Sequence, residues 1–157
     1  MVSQLLRPSI AMKITEALIA EHQVFHSLFD HIEMSLPRLK TLAEVKALAA
    51  VMAAMLKIHS RTEDELLIAP LEHCIDQIGQ SDTFHGEHQE IDHNLEAINS
   101  CRNSAQARKL LLQAVLASRS HFNKEERILF PLANKILNNV TLKNLGEAWE
   151  RQRDLES

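Results

Sequence analysis

The sequence contains few of the residues that form tight turns or disulfide cross-links, and it lacks the residue with a redox-active phenol. Among its 157 residues there are three Gly, four Pro and two Cys, and there is no Tyr. So little turn chemistry argues against a fold built from tight hairpins. The two Cys, Cys74 and Cys101, lie far apart and are expected to be free thiols in a reducing compartment. The absence of Tyr excludes a stable tyrosyl radical.

Charge and hydropathy argue against two classes of partner. The formal net charge is −4, and Lys and Arg are scattered, so we expect binding neither to nucleic acid nor to an anionic membrane. The longest uncharged apolar run, Ala47 to Leu56, is about half of the roughly 20 residues that a membrane span needs. The segment from Met1 to Met12 lacks the architecture of a signal peptide. We therefore expect a cytoplasmic protein, either a monomer or a homodimer.

An Ala- and Leu-rich background with helical periodicity predicts an all-α fold in one domain, residues 1–157. Apolar stripes and helix-stop residues predict four helices. The first runs from Ile14 to near Pro37, and the second runs from a Thr41 cap to about His73, with Pro70 bending or ending its last turn. The third starts at Ser81 or Asp82 and ends between Cys101 and Ser104, and the fourth covers about 105–138. Short connections predict an antiparallel up-down-up-down four-helix bundle, residues 10–138. A short tail helix, about 141–156, is predicted to start at a Thr141 cap and to contain Trp149.

Two His-x-x-x-Glu strings interrupt the apolar stripes of the second and fourth helices. His59 and Glu63, and likewise His121 and Glu125, are four residues apart and share a helix face. The stripes continue through Leu48, Met52, Met55 and Leu66 in one helix and through Leu111, Ala114, Ser118, Ile128 and Leu132 in the other. One such pair could be an internal hydrogen-bonded pair. Two pairs that point into one core need a common partner, and a metal cluster is the simplest one.

The first and third helices repeat each other. Glu21-His22-Gln23 recurs as Glu87-His88-Gln89, and each string precedes a His-x-x-x-Glu string by a similar distance. This internal repeat predicts two helical hairpins related by a pseudo-twofold axis, which would bring equivalent ligands together.

The candidate metal ligands are His22, His59, Glu63, His88, His121 and Glu125. Burying these groups without a cation would cost several kcal/mol per unpaired charge. Six ligands exceed what one tetrahedral zinc uses. They suit two divalent first-row metals, each held by two His, with both glutamates bridging. Symmetry groups His22 with His59 and His88 with His121, and leaves room for a bridging oxide or hydroxide and a small exogenous molecule.

This pattern of a His on the first helix, His-x-x-x-Glu on the second, Glu-His on the third and His-x-x-x-Glu on the fourth resembles the hemerythrin-like, or HHE cation-binding, domain. The resemblance covers about Glu21 to Pro131. It implies a four-helix bundle with a non-haem di-iron centre. It also implies binding of dioxygen, sensing of oxygen or iron, or a role in the response to nitric oxide and damaged iron–sulfur clusters.

Two departures separate this chain from the oxygen-carrying hemerythrins that it resembles. Phe84 stands where the carriers have a fifth His, and Glu125 stands where they have Asp. These differences favour the bacterial stand-alone branch and disfavour simple oxygen storage. His26 or His85 could supply a fifth His, whereas His31, His73 and His93 are expected to face solvent. Glu87 could line the ligand channel, hydrogen-bond a ligand or lie on the surface.

Other metal-site classes fit less well. The string Glu90-Ile-Asp-His93 lies off the apolar stripe, which disfavours a ferritin-like di-iron site, and no H-E-x-x-H string of a zincin occurs. Two functions stay open: a protein that binds or senses dioxygen, nitric oxide or iron, and a redox enzyme or iron donor in nitric oxide or peroxide stress and iron–sulfur repair. The absence of an accessory domain slightly favours the first, and a structural zinc site is a third possibility.

Overall fold

A computed structural model describes residues 12–155, which are almost entirely helical and contain no strand. The helices are α1 (Ile14–Ser35), α2 (Leu42–Glu63), α3 (Ala69–Gln77), α4 (Ser81–Asn99), α5 (Ser104–Lys124), α6 (Phe130–Ile136) and α7 (Asn139–Leu155). The predicted all-α class is confirmed. No helix in this part of the chain combines the length and the apolar character that a membrane span requires.

Local capping chemistry sets most of the helix boundaries. Thr41 caps α2 as predicted, because its hydroxyl accepts the Glu44 N–H at 3.2 Å and the Glu44 carboxylate accepts the Thr41 N–H at 2.8 Å. The predicted Thr141 cap of the tail helix is wrong. Asn138 accepts the N–H of Thr141 at 2.8 Å, so α7 begins two residues earlier than expected.

Two long helices each contain one wide, π-helical turn. The first covers Asp64–Ile68 between α2 and α3, and the second covers Glu125–Leu129 between α5 and α6. Both end two residues before a proline, Pro70 or Pro131. A proline ring clashes with the carbonyl four residues earlier in a regular helix. The wide turn moves that carbonyl away, so Pro70 does not end the helix, which continues to Gln77.

The wide turns shift the buried face beyond each His-x-x-x-Glu string. The sequence stripes predict burial of Leu66, Ile128 and Leu132, but these side chains are only partly buried. Their places in the core are taken by Leu67, Ile68 and Leu71 in one helix and by Leu129, Phe130 and Ala133 in the other. An extra residue in the turn rotates everything after it by about one residue position.

The core consists of two apolar clusters with a polar layer between them. One cluster contains Phe25, Phe29 and Phe122 with the apolar residues of the neighbouring helix turns. The other contains Leu18, Phe84 and Phe130 together with residues that follow the two wide turns. Along each long helix the metal-ligand candidates lie between residues of the two clusters, which places them at one level of the molecule.

Helix α7 packs against α1 and the first wide turn. Leu142 is buried in the second cluster, and Leu145 and Trp149 pack against it. Gly146 faces the backbone just before α1, where a Cβ atom would collide with the carbonyl oxygen of Met12. A glycine at this position therefore permits a close approach that no other residue allows.

Candidate metal centre

All six candidate ligands from the sequence meet in the polar layer. His22, Glu63 and Glu125 have no solvent exposure, and His59 and His121 are 2% and 1% exposed. The His88 side chain is the most accessible of the six, at 12%. The amphipathic pattern thus correctly predicts that these six side chains point inward, although Leu48 and Met55 of the same predicted stripe are only partly buried.

The six residues form two overlapping groups that could each hold one cation. One group is His22, His59, Glu63 and Glu125, and the other is Glu63, His88, His121 and Glu125. Within each group the four ligand atoms lie within 4.8 Å of one another. Both glutamates belong to both groups, and the histidines divide into the pairs that the internal repeat predicts.

The inward-facing atoms of this layer fit a metal rather than a hydrogen-bonded network. Among the described residues, the Nε2 atoms of all four histidines and all four carboxylate oxygens of Glu63 and Glu125 are buried and make no hydrogen bond of good geometry, although His121 Nε2 closely approaches Glu125. His22 Nε2 lies 3.1 Å from Glu125 Oε2, and His88 Nε2 lies 3.6 Å from Glu63 Oε2. Buried polar atoms are nearly always paired. Imidazole nitrogens and carboxylate oxygens that converge in this way are a donor set for divalent first-row metals.

The opposite nitrogen of each imidazole faces a carboxylate. His22 Nδ1 lies 2.9 Å from Glu126, His59 Nδ1 lies 2.6 Å from Glu21, and His121 Nδ1 lies 2.8 Å from Glu87. His88 Nδ1 is less closely held, at 3.5 Å from Asp64. A carboxylate only accepts hydrogen bonds, so it keeps the proton on Nδ1 and leaves the Nε2 lone pair for a metal.

These outer carboxylates follow a rule that the sequence analysis missed. The glutamate before the histidine of α1 or α4, Glu21 or Glu87, contacts the histidine of the following His-x-x-x-Glu string. The acidic residue after the bridging glutamate, Asp64 or Glu126, faces the histidine of α4 or α1. The repeated Glu-His pairs, and the adjacent acidic residues at 63–64 and 125–126, were the sequence signal from which these outer carboxylates could have been predicted. Of the open alternatives for Glu87, the structure supports the hydrogen bond, which joins it to the candidate metal ligand His121.

The two central glutamates have opposite electrostatic surroundings. Burial and repulsion by Glu125 raise the pKa of Glu63 to about 7. Burial also raises the pKa of Glu125, but the imidazoles of His121, His22 and His88 outweigh it and hold that pKa well below its usual range. Burial lowers the pKa of His88, yet the three carboxylates of Asp64, Glu125 and Glu63 raise it to about 12. The metal-free site therefore holds protons that a metal would displace.

Aromatic rings from both apolar clusters lie against the imidazoles of the layer. The Phe122 ring stacks on His22 with centroids 3.9 Å apart and planes 6° apart. Phe25 meets His59 edge-on at 5.3 Å, and Phe84 meets His121 edge-on at 6.1 Å. These rings fix the imidazole planes and keep polar solvent out.

The other histidines lie outside this layer. His26 Nδ1 is 3.1 Å from an Arg119 nitrogen, and the half-exposed His85 contacts Glu72. Neither belongs to a cation-holding group among the described residues. The remaining three, His31, His73 and His93, are exposed as predicted. Phe84 occupies the position at which a fifth ligand was considered, and it is buried in the apolar cluster.

Comparison with known proteins gives a family but no near relative. No curated protein and no solved structure matches the chain. The sequence model of the hemerythrin HHE cation binding domain matches residues 13–133, which span α1 to α6 almost completely. This match agrees with the all-helical fold and with a cluster of histidines and glutamates suited to a cation. The chain therefore belongs to the hemerythrin HHE cation binding domain family.

Proposed function

We propose that this protein is a non-haem di-iron protein that binds or senses a small diatomic ligand, dioxygen or nitric oxide, or reports iron supply. The observation that carries the proposal is the pair of overlapping ligand groups that share Glu63 and Glu125. A single-metal site would not require two carboxylates between two separate pairs of imidazoles. The family match independently supports a cation at this place.

In this proposal each residue has a defined task. His22 and His59 hold one iron, His88 and His121 hold the other, and Glu63 and Glu125 bridge the two. Each metal then has four protein ligands, which leaves coordination positions free on an octahedral ion. Bound ferrous iron supplies the electrons and the open positions that a diatomic ligand needs.

The surroundings favour a small uncharged ligand. Five of the six ligand residues are at most 2% exposed, so a large substrate could not reach the centre without a rearrangement. The phenyl rings of Phe25, Phe84 and Phe122 face the imidazoles and offer no hydrogen bond. A charged ligand would have to give up its hydration to pass these rings.

We further infer that the helices follow the antiparallel up-down-up-down order of a four-helix bundle. The long helices are α1, α2 with α3, α4, and α5 with α6. Packing of α4 against α5 and of α2 against both supports this order. It would place the repeated ligand strings of the two halves face to face.

The first experiment is metal analysis and optical spectroscopy of protein purified without oxygen, before and after exposure to air. We expect about two irons per chain and a new near-ultraviolet or visible band, both lost in Glu125→Ala. The exposed Glu90 provides a control, because Glu90→Ala removes a glutamate that lies outside the layer.

Other outcomes would assign a different function. Multiple turnover of nitric oxide or peroxide would identify a redox enzyme rather than a binder. Iron transfer to a damaged iron–sulfur protein would identify a donor. One zinc per chain with no spectral change would reduce the site to a structural one.

A further inference from the structure

We propose that α7 is a positioning element for one of the two metal positions, because Trp149 and Arg153 fix the carboxylate that orients His59. This inference rests on the proposed metal site. It concerns a helix outside residues 13–133, the part of the chain that matches the family.

The two oxygens of Glu21 have separate tasks. Oε2 lies 2.6 Å from Nδ1 of the buried His59. Oε1 accepts the indole N–H of Trp149 at 2.8 Å and the Nε–H of Arg153 at 2.7 Å, and a second guanidinium nitrogen lies 2.6 Å away. Three nitrogens of α7 thus converge on one oxygen, which leaves the other oxygen aimed at the imidazole.

Arg153 also reaches the helix that carries Glu63. Its Nη1 donates to the hydroxyl of the buried Thr62 at 2.8 Å, and that hydroxyl donates to the Ile58 carbonyl at 3.0 Å. Nearby on α7, Gln152 donates to the Glu65 carboxylate at 3.0 Å. Arg153 therefore joins α1 to α2 at the level where both present ligands to the same metal position.

The equivalent carboxylate in the other half is held differently. Glu87, which orients His121, pairs with Lys124 of α5, the helix that also carries His121. No residue of α7 is needed for that contact. The His88–His121 position is thus supported from within the matched domain, whereas the His22–His59 position depends on α7.

A simple helix-docking role does not account for the convergence on Glu21. The Arg153–Glu21 pair is partly exposed, and such pairs add little to stability. The apolar contacts of Leu142, Leu145 and Trp149 suffice to dock α7. Loss of the outer carboxylate of a ligating His, in contrast, lowers metal affinity by about 10- to 100-fold, so a residue that fixes this carboxylate acts on metal binding.

The test uses the full-length chain, Zn²⁺ as a diamagnetic probe, and four variants. Arg153→Met removes the guanidinium contacts to Glu21 and Thr62, and Arg153→Lys keeps the charge with fewer donors. Gln152→Ala disturbs α7 without touching Glu21 and is the matched control. Lys124→Met is the mirror variant for the other metal position.

We expect Arg153→Met to weaken one Zn²⁺ binding step about 10-fold, the lower end of the effect of losing an outer carboxylate itself. Arg153→Lys should show a smaller loss, and Gln152→Ala none. Lys124→Met should weaken the other step, so that the double variant Arg153→Met with Lys124→Met weakens both. In histidine ¹H–¹⁵N spectra of the Zn²⁺ form, solvent exchange of the His59 Nδ1 proton should accelerate in Arg153→Met while that of His121 stays unchanged.

Trp149 gives a check on folding, since it is the only Trp and there is no Tyr. The Arg153 guanidinium lies 5.6 Å from the centre of the Trp149 ring, so a small change of emission is expected in Arg153→Met. Emission typical of a solvent-exposed indole would mean that α7 has detached, and Trp149→Phe, which keeps an aromatic ring and drops the N–H, then replaces that variant. Equal weakening of both Zn²⁺ steps, or of neither, would overturn the inference and leave the proposed site standing. A native protein that binds no divalent metal would overturn the proposed function and this inference together.

Discussion

Replacing Glu63 by Gln should stabilise the metal-free protein at alkaline pH. The folded-state pKa of Glu63 is about 7, against an ordinary value of 4.5, because of burial and the charge of Glu125. The folded protein thus opposes ionisation of this carboxyl. The contribution of Glu63 to the free energy of unfolding is therefore most favourable below pH 4.5, falls as the pH rises to about 7, and stays reduced above that. This difference corresponds to roughly 3 kcal/mol, which Glu63→Gln should recover at pH 8 and not at pH 4.

The pseudo-equivalent substitution, Glu125→Gln, should have the opposite effect. Three imidazoles hold the pKa of Glu125 well below its usual range, so this carboxylate stabilises the folded state. That contribution is present above pH 4.5 and is lost as the pH falls through the folded-state value. Glu125→Gln should therefore destabilise the metal-free protein at pH 8, with a smaller effect in acid.

Urea denaturation of chelator-treated protein at pH 4 and pH 8 measures both effects. With Zn²⁺ present, both variants should be less stable than the native protein, since each loses a bridging ligand and with it the stabilisation by bound metal. A Glu63→Gln protein less stable than the native chain at pH 8 without metal would refute the electrostatic reasoning. Changes of the same sign in both variants would refute the proposed asymmetry of the two glutamates.

Three further predictions test other parts of the structure. Zn²⁺ affinity should fall on acidification, because the metal must displace the protons held by Glu63, with a pKa of about 7, and by His88, with a pKa of about 12. Calorimetry in buffers of different ionisation enthalpy would count the protons released on Zn²⁺ binding, and binding without proton release would contradict the reasoning. Glu126→Gln should weaken metal binding about 10- to 100-fold, because it removes the carboxylate that orients His22. Metal content after dialysis should therefore fall in Glu126→Gln and stay unchanged in the control Glu90→Gln. Gly146→Ala should lower the Tm, because the Cβ atom of alanine would collide with the backbone before α1. This is expected although alanine is more favourable than glycine in a helix by about 1 kcal/mol. A higher Tm would show that the backbone before α1 can move aside.

The metal-ligand candidates could be predicted from sequence because their positions obey local rules. Residues four apart share a helix face in any α-helix, so His59 with Glu63 and His121 with Glu125 had to point the same way. Apolar neighbours at helical spacing showed that this helix face points toward the core. The repeat of Glu-His in α1 and α4 then paired the ligands, and the structure brings those pairs together.

The buried faces after each bridging glutamate could not be predicted in the same way. A proline can end, kink or widen a helix, and the sequence alone does not choose among these responses. The structure shows a widened turn before Pro70 and before Pro131, which moves Leu67 and Leu129 into places expected for Leu66 and Ile128. Packing against the second apolar cluster decides which residues after the wide turn face the core.

By itself, then, the sequence determined the helices and the ligand faces, since hydrogen bonding and side-chain periodicity along one helix depend on near neighbours. Tertiary structure decided which groups surround those ligands. Trp149 and Arg153 reach Glu21 across more than a hundred residues of chain. No periodicity relates positions so far apart, because their contact depends on how α7 packs across α1 and on the close approach at Gly146.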